Sequence, residues 1–170
     1  MNLALLNNLD PQTARAEFLR CCGCSRWAKA LASRLPFQDD TQLFTAAEEI
    51  WRHLSPEDWR EAFSHHPQIG DLANLRKKFV PTRQWSTGEQ AGLQGAAEEV
   101  LKALAQGNTA YEQKFGYIFI VCATGKSAEE MLAILQRRLP NDAAVEIKIA
   151  AKEQIKITRI RLEKLLAITQ

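Results

Sequence analysis

The residue types best suited to chemistry lie in Phe63-Ser64-His65-His66-Pro67-Gln68-Ile69-Gly70-Asp71, which carries two of the three histidines in the chain. Proline disfavours helical geometry in the residue before it, so a helix reaching this point ends there and His66 sits on a stiff turn. Gly70 permits a left-handed or closely approaching backbone just beyond. An imidazole titrates near neutral pH, and one held by such punctuation suits proton transfer. The same position also suits a histidine that only complements the negative end of a helix dipole. Metal binding is not expected: His65 and His66 are adjacent and cannot both ligate from one face, and His53 lies a helix away.

Two further groups invite a polar ligand. In Trp85-Ser86-Thr87-Gly88-Glu89-Gln90-Ala91-Gly92, Ser86 and Glu89 have the spacing of a capping box. Either Glu89 closes a helix start, or that helix N-terminus presents Glu89, Gln90 and free amides to a carboxylate or carbonyl oxygen. Near the C-terminus, Ala150, Gln154, Ile157, Arg161, Leu165 and Ile168 recur every three or four residues and define one stripe of a helix. Arg161 interrupts that apolar stripe, whereas Arg159 points to solvent. A guanidinium so placed needs a carboxylate, backbone carbonyls or an anionic ligand, and both a structural and a ligand-binding role are open. Cys21-Cys22-Gly23-Cys24 contains a CxxC spacing, but without a second pair or a βαβ context it reads as a corner between helices. The four tryptophans read as core, and no phosphate-cradling glycine motif occurs.

The elements that must position these residues are helices. Asp10-Pro11 and Ser55-Pro56 each place a cap acceptor before a proline at the first helical position. Ser127 with Glu130 forms a capping box ahead of a helix that stops at Pro140, and Thr109 with Glu112 has the same spacing. The longest helical pattern opens at Asn141-Asp142 and runs to about residue 168. One apolar run resists helical reading: Tyr117-Ile118-Phe119-Ile120-Val121-Cys122-Ala123, between Gly116 and Gly125. An all-α, single-domain multi-helix bundle over residues 1–170 follows, with a short irregular or extended segment near 117–123.

Composition agrees with one ordinary domain. The 170 residues are 46% hydrophobic, and 22 Lys and Arg against 20 Asp and Glu leave a net charge of +2. That balance excludes the concentrated basic face nucleic acid requires. No apolar stretch reaches the roughly 18 residues of a membrane helix, and no basic-then-apolar leader opens the chain. Three crowded cysteines without a secretion signal read as reduced thiols, which makes the cytoplasm the expected compartment.

Taken in order, CCGCSRW, HPQIGD, STGEQAG, YEQKFGYIFIVCATGK, MLAILQRRLPN and EQIKITRIRLEKLL resemble the 2-oxo-4-hydroxy-4-carboxy-5-ureidoimidazoline (OHCU) decarboxylases from about residue 10 to 168. The resemblance implies an all-helical enzyme that makes (S)-allantoin during urate oxidation, with no metal or organic cofactor, as a homodimer. By position it implies that His66 is the catalytic histidine and Pro67 shapes its turn. Glu89 and Gln90 would bind ureido and ring amide groups beside Ser86. The backbone of Phe119, Ile120, Val121 and Cys122 would line the pocket, and Arg161 would contact substrate. Two departures stand out: Gln68 replaces the usual Arg, and Cys24 replaces a Ser, weakening a cap. A decarboxylase of a different ureido or hydantoin acid, and a helical interaction module without turnover, are the competing readings.

Overall fold

The computed structural model describes residues 1–66, 72–79 and 90–167. The chain divides into two compact units, Met1–His66 with Ile147–Gln170, and Pro67–Glu146. Among the described residues every regular element is helical and none is a strand, so the architecture is all-α.

The first unit holds α1 (Leu3–Asn7), α2 (Pro11–Cys21), α3 (Ser25–Ala32), α4 (Asp40–Arg52), α5 (Pro56–Ser64) and most of α9 (Ala143–Leu165). Its helix starts are local events. Asp10 accepts from the amides of Gln12 and Thr13 at 3.0 Å each, with Pro11 in the first turn where no amide is needed. Ser55 and Asp58 close a reciprocal box at the start of α5. Cys24 caps α3: its Sγ accepts from the Trp27 amide at 3.5 Å, a longer and weaker bond than a hydroxyl makes. Phe18 and Trp27 meet edge-to-face in the core between α2 and α3, with centroids 6.2 Å apart. The indole N–H groups of Trp27, Trp51 and Trp59 donate to the carbonyls of Ala47, Ala151 and Trp51. These three rings are structural, as expected; Trp85 lies outside the described residues.

The second unit contains α6 (Leu72–Phe79), α7 (Gln90–Phe115) and α8 (Ala128–Arg138), with α7 packed on both others. At 26 residues α7 is longer than the 23-residue α9, contrary to the expectation that the C-terminal pattern is the longest. The reason is Thr109, whose spacing to Glu112 predicts a helix start. Its hydroxyl instead bonds back to the Ala105 carbonyl at 3.2 Å, inside a continuous helix. The Ser127–Glu130 box does start α8. Gly116, at φ +79°, ends α7, its amide bonding the Glu112 carbonyl at 2.8 Å. Residues 117–123 then run without regular structure, as the sequence implies.

Candidate active site

His66 stands at the end of α5. His65 caps that helix, and the His66 amide bonds the Phe63 carbonyl at 3.2 Å. The corner between α2 and α3 supports this turn: a Cβ on Gly23 would lie 2.4 Å from the His65 Cβ, so only glycine allows the approach. The half-buried His66 ring meets α9. Its Nε2 lies 2.5 Å from Oε1 of Gln154, a fully buried side chain. The Gln154 Nε2 donates to Oγ1 of the equally buried Thr158 at 3.2 Å. The Thr158 hydroxyl is 3.0 Å from the backbone carbonyl of Gln154. Burial holds the His66 pKa below the ordinary 6.5, and the nearby charge of Arg161 presses the same way against the Gln154 bond. The ring is therefore neutral at neutral pH.

Arg161 donates from Nη1 to the Cys21 carbonyl at 3.2 Å. Among the described residues it has no carboxylate within ion-pair distance. One backbone carbonyl leaves most of its five donors and its charge available to an anion. Arg159, as expected, is exposed and pairs with Glu163 and Glu48. Burial pushes the Cys21 thiol up to about 11 and the Cys22 thiol up to about 12, so both stay protonated and neither is a ready nucleophile.

The α9 stripe departs from its expected register. Ile147, Ala150, Ala151, Gln154, Thr158, Leu162 and Leu166 are buried, while Ile157, Arg161 and Leu165 flank them half-buried. Gln154 is buried on the stripe where the spacing places it, whereas Thr158, one turn further on, is a buried polar residue that hydropathy counts as surface. Their one-turn separation was the available signal.

In the second unit, Phe119 and Val121 are half-buried while Ile120 and Cys122 are buried. The Ile120 carbonyl accepts from Arg138 Nη1, and the Cys122 carbonyl from Lys126 Nζ, each at 2.8 Å. Arg138 is itself buried, pairs with Glu146 at 2.6 Å and lies over the Phe119 ring. Glu146 also accepts from the Tyr111 hydroxyl at 2.5 Å and from Asn141 at 2.9 Å. Nothing in the sequence reading singled out this buried cluster.

Pro67, Ser86 and Glu89 lie outside the described residues, as does Gln68. Gln90 is the first residue of α7, described in its backbone alone. One group of metal-ligating types occurs among the described residues: Cys24, Asp58 and Glu61, with ligand atoms within 4.8 Å. All three already serve the fold. Cys24 caps α3, Asp58 closes the α5 box and pairs with Arg26 at 3.3 Å, and Glu61 accepts from the Ser25 amide and hydroxyl.

The family model for OHCU decarboxylase matches residues 7–163. The chain is 37% identical over 149 residues to the uric acid degradation bifunctional protein TTL of Arabidopsis thaliana, covering 88% of this chain and 46% of that protein, so it spans about half its length. It is 30% identical over 173 residues to the 2-oxo-4-hydroxy-4-carboxy-5-ureidoimidazoline decarboxylase of Amia calva, with 98% and 95% covered. The solved structure of an OHCU decarboxylase in the presence of (S)-allantoin superposes with a TM-score of 0.71 at 37% identity, covering 89% of this chain and 97% of that one. With the matched family spanning nearly all of the chain and the helical fold agreeing, this chain belongs to the OHCU decarboxylase family.

Proposed function

We propose that this chain decarboxylates OHCU to (S)-allantoin in urate catabolism, with His66 as the proton carrier. The observation that carries the reading is the His66 ring, neutral and tied to the buried Gln154, with the charge of Arg161 nearby and no carboxylate paired to it among the described residues. The carboxylate to be lost sits on a ring carbon beside a C=N bond, so the electron pair left by CO₂ moves into the substrate. The protein then has to orient the breaking bond, limit its solvation and manage protons. Arg161 stabilises the oxygen charge of the carboxylate and of the developing carbonyl. Glu89 and Gln90 hold the ureido and ring N–H groups beside Ser86, and Pro67 sets the turn. The backbone of Phe119, Ile120, Val121 and Cys122 supplies the remaining polar contacts. Proton return to one face of the ring accounts for a single enantiomer.

The reaction as written calls on no metal or organic cofactor, because the electron sink is the substrate's own C=N bond. The working form is residues 1–170 as one functional domain in a homodimer, located in the cytoplasm. The family resemblance supports the dimer, and four buried cysteines that form no disulfide fit a reducing compartment. No helix among the described residues is long and apolar enough to cross a membrane.

Circular dichroism of freshly generated OHCU mixed with the protein tests the proposal. Rapid growth of the (S)-allantoin signal is expected, with His66→Ala folded and slower by about 10²–10⁴-fold, the usual cost of removing an acid–base group. Racemic product at the spontaneous rate would make the chain a binding module. Wild-type turnover by His66→Ala would sink the role of the histidine.

A further inference from the structure

Gln154 does more than anchor the His66 ring, because its amide has only one orientation that satisfies its neighbours. The Thr158 hydroxyl has a single hydrogen, and it is 3.0 Å from the backbone carbonyl of Gln154, a group that can only accept. With that hydrogen committed, Thr158 Oγ1 must accept from the side chain 3.2 Å away, so the atom facing it is the Gln154 NH₂ group. The other end of the amide, Oε1, is then the atom 2.5 Å from His66 Nε2. An oxygen acceptor there requires a proton on Nε2. Gln154 and Thr158 are both fully buried, so water does not offer the amide an alternative set of partners. Burial keeps the Cys22 thiol protonated, so it adds no charge to the chain of contacts.

We infer that Gln154 and Thr158 are positioning residues that lock His66 in the Nε2–H tautomer and thereby make Nδ1 the nitrogen that exchanges protons with substrate. Among the described residues Nδ1 has no hydrogen-bond partner. The inference rests on the proposed role of His66 and decides what that role left open, whether the resting ring gives or takes a proton. A neutral ring whose one N–H is spent on Gln154 has no proton to give and one lone pair to offer, so it begins as the base. Nδ1 takes the proton of the 4-hydroxyl as the bond to the carboxylate breaks. That bond's electron pair joins the two ring carbons, and the C=N pair moves onto the ring nitrogen. Two protons are then needed, one on that nitrogen and one on the carbon bearing the ureido group. The imidazolium returns the one it took and solvent supplies the other. Throughout the cycle the Nε2–H remains on Gln154 Oε1, which keeps the ring from rotating as its charge changes.

The charged and titratable groups facing His66 among the described residues are Arg161 on α9 and the neighbouring His65. Neither accepts a proton from Nε2, so the tautomer depends on Gln154. Nitrogen-15 NMR on protein labelled at histidine reads it directly, with the His66 resonances identified by their loss in His66→Ala. The expected result at neutral pH is a pyrrole-type Nε2 and a pyridine-type Nδ1. Gln154→Leu is expected to yield a mixture of tautomers, with kcat reduced at least tenfold and KM little changed. Gln154→Glu keeps an acceptor for Nε2–H but places a carboxylate against the ring, so the acid limb of kcat/KM is expected to move to higher pH by about one unit or more. A wild-type ring protonated on Nδ1 overturns the inference, even if His66→Ala is inactive, and so does a pH profile that Gln154→Glu leaves in place. An active His66→Ala protein would instead remove the proposed function while leaving the tautomer result standing.

Discussion

At His66 burial and neighbouring charge oppose a hydrogen bond to the ring, and their signs set a pH dependence. Burial and the charge of Arg161 disfavour the imidazolium, while the Gln154 carbonyl oxygen favours it, and the net shift is downward from 6.5. A base must be unprotonated to act, so the acid limb of kcat/KM is expected below 6.5, with no loss on approach from neutral pH. Arg161→Gln removes the positive neighbour and is expected to move that limb upward, besides weakening substrate binding. A limb above 6.5 in the wild type would contradict the neutral, buried ring. Linkage has the same sign. The unfolded chain binds the proton more tightly than the folded one, so this group's contribution to stability is present above about 6.5 and lost as pH falls below it.

At the scale of elements, a close approach in the first unit and a buried ion pair in the second each fix a segment within its own unit. The α2–α3 corner passes so near the α5 terminus that a Cβ at Gly23 would overlap the β-carbon of His65, an atom with no freedom to swing aside. Gly23→Ala is therefore expected to cost about 1–3 kcal/mol, as overpacking usually does, and to displace the His65–His66 turn. Thermal melts and kcat measured together check this: a lowered midpoint with impaired turnover is expected, and unchanged values for both would refute the contact. In the second unit, Arg138 ties α8 to the irregular run through the Ile120 carbonyl and is balanced by Glu146. The two side chains are 6% and 0% exposed, so Arg138→Met strands a buried carboxylate. A loss of about 3–5 kcal/mol in urea unfolding is expected. Replacing Glu146 by Leu in the same chain should recover much of it, since no charge is then left unpaired. A single variant within about 1 kcal/mol of wild type would show that the pair does not hold the segment.

At the scale of the whole molecule, what was legible in the amino-acid sequence is what nearby residues decide among themselves. The starts of α2, α5 and α8 follow from Asp10, Ser55 and Ser127, each bonding amides two or three residues ahead. The break at Gly116 and the refusal of 117–123 to form a helix follow from backbone freedom and apolar crowding in one short stretch. Even so, Thr109 shows the limit of such signals, because the same spacing serves a cap and a mid-helix hydroxyl bonded one turn back. The six motifs and their order, read together, carried the family as well, and with it the choice of His66 and Arg161. Tertiary structure alone decided which atoms those residues meet. His66 and Gln154 are 88 positions apart, and Arg161 and Cys21 are 140 apart. Hydropathy counts Thr158, Arg138 and Glu146 as surface residues, yet all three are buried with partners. A polar side chain is stable inside only when a specific partner satisfies it, and packing brings those partners together from distant parts of the chain. The histidine could therefore be chosen from the order of residues, but the partner its ring meets had to be read from the fold.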